Sequence, residues 1–441
     1  MPAGAGLAIP SVNPTLRVVF SHPPATKPGW PYLGFPYEAR KKELLEKLRA
    51  AFPSFRFLPE TVITAEDVKR VLGADSEVDG YVVSVLSNGG PGLTFGASGR
   101  PVVFVYELYG GGIGLAKGPR AISISSSDFN DVVDAVRSFD CMKKLRTSVI
   151  LDAVERNQVA GRETFRYASA AKGIEENFGS QVRLLSAQEL NAAYEQANRA
   201  EAARWAKTWI DAAEKIVEPS REEIGKSGQM YVAMRDLMAK NSAQAMTIDC
   251  LTFIYSGQMA AYPCLGYCQL NNDGFVGACE ADLQSTLTML VLTYLTGRPG
   301  YISDPVIDTA KKQVIYAHCV APTKVFGPSG PSNPYHIRSH SENRKGAAMR
   351  SLLPLNEMTT SLKLIPERKI MVIHQARTVA NIDEDMACRT KLAVDFPNAR
   401  KLHNEWNERG FGWHRVTVYG DFKDRLENFS RLMGFNIVEE G

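Results

Sequence analysis

Through roughly its first 297 residues the chain alternates β-branched runs with helix-forming segments, and that alternation most constrains its fold. TLRVVFSH (15–22), DGYVVSVLS (79–87), PVVFVYEL (101–108) and AISISSS (121–127) read as strands. Between and after them lie RKKELLEKLRAAF (40–52), with apolar positions at Leu44, Leu45, Leu48 and Ala51, and helical stretches near 65–72 and 129–144. Strands that alternate with helices imply a parallel sheet covered on both faces. The pattern restarts near 148 with SVILDAVE, a helical stretch over 187–217 and another over 220–241, where Ser220 precedes Glu223 by three residues as a cap. AMTIDCLTF (245–253) reads as a strand of this second unit. From about 300 the texture changes. KKQVIYAHCV, MTTSLKLI, RKIMVIHQARTV, TKLAVDF and HRVTVYGDF are short β-branched segments between turns, the pattern of an antiparallel sheet or barrel. The expected architecture is α/β: two Rossmann-like units with parallel sheets, 1–147 and 148–297, followed by a C-terminal antiparallel β-barrel over 298–441.

Composition narrows the function classes. A length of 441 residues exceeds one small core. The net charge is +3, from 51 basic and 48 acidic side chains, so nothing argues electrostatically for nucleic acid or an acidic membrane surface. An uncharged small ligand fits that balance. The seven cysteines sit mostly in apolar runs, the mark of reduced, buried thiols in a cytoplasmic protein. Cys264 and Cys268 in PCLGYC have ligand spacing, but no second Cys/His pair with finger spacing follows. The first sixteen residues carry no Lys or Arg and are broken by proline, unlike a secretory signal. The longest apolar run, near 287–295, is too short to span a bilayer. The loops SNGGPG (87–92) and YGGGIG (109–114) follow strands but match neither a Walker A nor a full dinucleotide fingerprint.

The stretch GACEADLQSTLTMLVLTYLTGRPGYISDP (277–305) carries the chemistry. FVGAC (275–279) reads as a strand, ADLQSTLTMLVLTYLT as a helix ended by GRPG, and YIS (301–303) as a strand. Strand–helix–strand at this length predicts a crossover between parallel strands, with Glu280 and Asp304 at neighbouring carboxyl ends about 5 Å apart. Two carboxylates that close repel unless a proton or cation lies between them, and a divalent metal is the natural guest. A helix-start Glu and a pre-proline Asp are each common structural devices, so the pair rather than either residue makes the case. His414 opens a strand after the Gly-rich aromatic segment RGFGW. His318 in IYAHCV, and His340 with Glu342 in RSHSEN, are further candidates to contact a ligand. Trp30, Tyr32 and the 87–92 loop, including Asn88, are further candidates to pack against a ligand.

These residues carry a resemblance. Glu280 in ACEADLQSTLTMLVLTYLTG, Asp304 in YISDP, His414 in WHRVTVYG, and the segments NEMTTSLKLIP and KIMVIHQARTV resemble the L-fucose isomerase and L-arabinose isomerase superfamily. The likeness runs over about 245–420; before that only the α/β texture agrees, and the chain is much shorter than L-fucose isomerases proper. The resemblance implies a Mn²⁺-type divalent ion held by Glu280, Asp304 and His414, with Glu280 and Asp304 also catalytic. It implies a small-molecule sugar as substrate and an aldose–ketose interconversion through an ene-diol. It also implies a homo-oligomer, trimeric or hexameric, whose site lies at a subunit interface. A non-catalytic sugar-binding protein, another metal-dependent sugar enzyme such as an epimerase or lyase, and a degenerate assembly subunit are the rival readings.

Overall fold

A computed structural model describes residues 7–88, 90–110, 114, 117–155 and 167–441. The chain forms two compact units.

One unit comprises residues 11–144 and 424–437. Its strands are β1 (Thr15–Ser21), β2 (Arg56–Val62), β3 (Gly80–Val85), β4 (Val102–Tyr106) and β5 (Ala121–Ile124). They form a parallel sheet in the order β2-β1-β3-β4-β5. The continuous apolar runs of β1, β3 and β4 are buried, as strands covered on both faces must be. Val19, Tyr81, Val83, Val102 and Phe104 lie in its core. The helix Ala65–Leu72 starts in a capping box, in which Thr64 and Asp67 satisfy each other's backbone N–H groups.

The other unit comprises residues up to Pro10, 145–423 and 438–441. Strands β6 (Val149–Ala153) and β7 (Gln181–Leu185) open its parallel sheet. After the short β8 (Lys215–Ile216), the strands β9 (Ala245–Ile248) and β10 (Val276–Ala278) complete that sheet in the order β10-β9-β6-β7. Next come β11 (Tyr301–Asp308), β12 (Gln313–His318), β13 (Tyr335–Arg338), β14 (Ala348–Ser351), β15 (Met358–Ile365), β16 (Ile370–Asn381), β17 (Thr390–Asp395) and β18 (Arg415–Tyr419). Antiparallel pairing runs β15-β18-β11-β12-β17-β16 and returns from β16 to β15, so these six strands close into a barrel. Tyr301, Val314, Tyr316, Leu392, Val394 and Tyr419 share one of its core clusters. The alternation followed by a barrel is therefore present as the sequence implies. β13 pairs with β14 on one side and with β8 on the other in a separate small sheet.

Three local expectations are corrected. The stretch 187–217 is two helices, Ala187–Gln196 and Arg199–Ala212, because the Asn198 side chain accepts from the Glu201 amide and starts a new helix. The last residues of that stretch, Lys215–Ile216, form β8. The 245–253 strand stops at Ile248, and Cys250–Tyr255 is helical. Most consequentially, 276–278 and 301–303 are not adjacent parallel strands. β10 is the edge of the parallel sheet, whereas β11 lies in the barrel between β18 and β12. The reason is the hairpin that follows: β11 runs to Asp308, and Gln313 pairs back onto Asp308 after a four-residue turn. An antiparallel hairpin outcompetes a crossover because its partner is closer along the chain.

Candidate metal centre

Glu280 lies two residues beyond the end of β10. Glu280 and Ala281 both adopt left-handed backbone, at φ 63° and 51°. That conformation costs a non-glycine residue of order 1 kcal/mol and persists only where the surroundings enforce it. Here the Ala281 amide donates to Ile248 O at 3.0 Å. Asp282 then caps the helix Leu283–Thr296 by accepting from the Ser285 amide at 2.9 Å. Gly277 permits this turn to sit where it does: a Cβ there would lie 2.7 Å from the Tyr267 Cα.

The barrel supplies the other groups by register. Asp304 on β11 stands opposite Ala317 on β12, one residue before His318. Ser303 stands opposite Arg415 on β18, one residue after His414. Three neighbouring strands thus deliver Asp304, His318 and His414 to one place, and the turn after β10 delivers Glu280. One ligand atom from each of these four residues lies within 4.8 Å of the other three. Among the described residues this is the one group of three or more His, Cys, Asp or Glu arranged to hold an ion.

Both carboxylates are partly buried, and the histidines are nearly inaccessible. His414 Nε2 lies 3.1 Å from Asp304 Oδ1 and 3.4 Å from Glu280 Oε2, but in hydrogen-bond geometry to neither. Its other nitrogen, Nδ1, is 2.8 Å from Asp282 Oδ2. A carboxylate only accepts, so Nδ1 carries the proton and the lone pair of a neutral ring sits on Nε2, facing the carboxylates. Asp282 is itself gripped: Ser285 Oγ donates to it at 2.7 Å, and Lys363 Nζ from β15 lies 3.3 Å away.

The electrostatics describe a place prepared for a cation. Burial opposes ionisation of Glu280, yet His414 and His318 hold its carboxyl below the usual range. Burial likewise opposes ionisation of Asp304, and His414, His318 and the Trp413 side chain outweigh it. Burial opposes ionisation of Asp282 too, and Lys363 with His414 drives it well below the normal carboxylate value. Burial disfavours a charged His414, but the hydrogen bond to Asp282 and the nearby Asp304 and Glu280 carboxylates raise its pKa well above that of a free imidazole. Two ionised oxygens and a nitrogen lone pair that otherwise attracts a second proton suit a divalent metal ion.

The other candidates fall elsewhere. His340 is buried and Glu342 is exposed, in the segment between β13 and β14. Glu342 accepts from the Tyr255 hydroxyl, and neither belongs to the four-residue group. Trp30 and Asn88 are exposed residues of the other unit. Gly89 and residues 111–113 of the two glycine-rich loops lie outside the described residues. Cys264 and Cys268 are buried free thiols on the helix Cys264–Asn272, outside the ion-holding group. Sequence reading missed Asp282 and Lys363. Asp282 reads as an ordinary helix cap, and its place two residues after Glu280 is the one local signal. Among the described residues no helix is long and apolar enough to cross a membrane.

No family model matches the chain. It is similar to curated proteins named sulfoquinovose isomerase. The one from Alkalicoccus urumqiensis is 22% identical over 267 residues, 59% of this chain and 59% of that protein. Those from Priestia aryabhattai and Clostridium sp. (strain MSTE9) are each 25% identical, over 48% and 45% of this chain and 47% and 44% of theirs. The matches thus span about half the length of these relatives. Among solved structures, a chain of the XylFII-LytSN complex is 18% identical, covering 56% of this chain and 86% of its own at a TM-score of 0.17. The transcription regulator CcpA of Lactococcus lactis is 14% identical, covering 64% and 92% at 0.18. Scores this low carry no argument. What the comparisons support is a sequence relationship, at low identity, to sugar isomerases.

Proposed function

We propose that the protein is a metal-dependent aldose–ketose isomerase acting on a monosaccharide. The observation that carries the proposal is the convergence of Glu280, Asp304 and the His414 Nε2 lone pair on one point. The reading as an L-fucose isomerase-like protein rests on the motifs around those residues. The similarity to sulfoquinovose isomerases supports a sugar substrate and puts sulfonated sugars among those to test. An oxygen-rich set with a single imidazole lone pair suits Mn²⁺ better than Zn²⁺.

Moving a carbonyl from C1 to C2 requires taking a proton from C2 and returning one to C1. A divalent ion held by Glu280, Asp304 and His414 would supply charge stabilisation for the ene-diol state. The chain does the rest. Glu280 and Asp304 are held ionised, so a carboxylate oxygen is ready to accept the C2 proton and return it at C1. Asp282 keeps the proton of His414 on Nδ1, and the buried ring limits water at the reacting carbons. We further propose that the protein acts as a homo-oligomer.

The test is to strip metal with a chelator, restore Mn²⁺, and follow ketose formation across L-fucose, L-arabinose, other deoxy sugars and sulfoquinovose. Turnover of one aldose that appears only with metal, and that Glu280→Gln and Asp304→Asn abolish while the chains stay folded, supports the reading. Metal-independent turnover, or full rates in both variants, overturns it.

A further inference from the structure

The two histidines of the cluster face it in opposite chemical states, and the difference is fixed by their outer nitrogens. His414 donates through Nδ1 to a carboxylate, so it shows the site a lone pair. At His318, the last residue of β12, Nδ1 instead accepts the backbone N–H of Cys319 at 3.0 Å. A ring nitrogen that accepts a hydrogen bond carries no proton, which leaves the proton of His318 on Nε2. Nε2–H cannot offer a lone pair to a cation at the same time.

That N–H is buried and has no hydrogen-bond partner. The nearest carboxylate oxygen, Glu280 Oε1, is 3.6 Å away, too long for a hydrogen bond. A buried donor left open in this way costs roughly 1–3 kcal/mol unless something arrives to accept from it. The atom that would do so occupies the same few ångströms as the cation and the reacting carbons, since a ring nitrogen of His318 lies within 4.8 Å of a ligand atom of each of the other three residues and Nε2 itself is 3.6 Å from Glu280.

We propose that His318 is not a metal ligand but the hydrogen-bond donor to an oxygen of the sugar's C1–C2 segment, with its proton retained on Nε2 throughout. This rests on the isomerase reading above. An oxygen that gains negative charge on the way to the ene-diol takes a stronger hydrogen bond than the starting aldose, so the donor favours the transition state over the bound substrate. The ring is pre-aimed by its backbone contact and needs no rearrangement when charge develops.

Three measurements on the full chain test this. In calorimetric titration with Mn²⁺, His318→Ala and His318→Gln should bind one ion per chain with wild-type affinity, whereas His414→Ala should bind roughly tenfold or more weakly. In turnover, His318→Ala should lose about a hundredfold in kcat with a smaller change in KM, and His318→Gln, which keeps an N–H donor, should recover part of the loss. In ¹⁵N-histidine NMR of the wild type, with the His318 signals assigned from the Gln variant, Nε2 should be protonated and Nδ1 bare, with or without Mg²⁺. Loss of Mn²⁺ from His318→Ala to the extent seen in His414→Ala, or an Nδ1–H tautomer in a wild type that binds Mn²⁺, overturns the inference and leaves the isomerase reading standing. A wild type that binds no divalent ion overturns that reading and, with it, this one.

Discussion

Asp282→Asn separates the support of His414 from its surroundings. The carboxylate takes four contacts at once: the His414 Nδ1–H at 2.8 Å, Ser285 Oγ at 2.7 Å, the Ser285 amide at 2.9 Å and Lys363 Nζ at 3.3 Å. All four are donors or cations, and an amide can accept on one side only. If its oxygen keeps His414, its NH₂ faces the Ser285 amide; if its oxygen keeps the helix cap, its NH₂ faces His414. Either way a charge-assisted hydrogen bond to a buried group is lost, worth about 1.5–3 kcal/mol. At about 1.4 kcal/mol per decade that is roughly ten- to a hundredfold in metal affinity, the range seen when the outer partner of a ligand histidine is removed. Lys363 also loses its Asp282 carboxylate, so the variant should unfold at lower temperature. The double variant Asp282→Asn/Lys363→Met removes that second effect and should regain thermal stability while metal binding stays weak. The assay is Mn²⁺ titration by calorimetry, with circular dichroism as the fold control. A folded Asp282→Asn chain that binds Mn²⁺ within about threefold of wild type would refute the assignment of His414 as a ligand oriented by Asp282.

Other outcomes follow from the same structure. The raised His414 pKa means the imidazolium stabilises the metal-free chain fully below about pH 6.5, a contribution lost as pH rises through the folded value. Mn²⁺ must displace that proton, so its affinity should fall with decreasing pH and its binding heat should vary with the buffer's ionisation enthalpy. Glu440 is buried against Arg415, at 2.9 Å to Nε, and accepts from Trp406 Nε1 at 3.0 Å. Glu440→Gln should cost about 3–5 kcal/mol in thermal unfolding. Burial opposes ionisation of Glu440, but Arg415 and His374 hold its carboxyl far below the normal value. That stability is present above about pH 4.3, the unfolded value, and is lost as pH falls through the folded one. Gly277→Ala places a Cβ against Tyr267 backbone that has no room to yield; the expected cost is about 1–3 kcal/mol, with weakened metal binding through displacement of Glu280.

Much of the architecture is written locally. Continuous β-branched strands between helices announce parallel sheets, and the change of texture near residue 300 announces the barrel, because both depend on periodicity within short windows. Partnership between strands is not local. β11 looks like the second half of a crossover until its hairpin with β12 is counted, and its place between β12 and β18 depends on residues more than 100 positions away. The same distinction applies at the site. Glu280 and His414 stand at element boundaries where sequence reading finds them, and Asp304, read from the sequence as a strand end, lies inside β11. Lys363 sits mid-strand in MTTSLKLI, 81 positions from its partner Asp282, and nothing in its neighbourhood marks it. The break at Asn198 was missed because an Ala-rich amphipathic pattern continues across it, and only the cap geometry reveals the new start.

The central claim is that a single divalent ion is held between Glu280, Asp304 and His414. Diffraction from crystals soaked in Mn²⁺, recorded at the manganese absorption edge, tests it most directly. The account predicts one strong anomalous peak within bonding distance of a carboxylate oxygen of each acid and of His414 Nε2, with His318 Nε2 outside the coordination sphere. A fully soaked crystal with no peak there, or with its peak elsewhere in the chain, would contradict it.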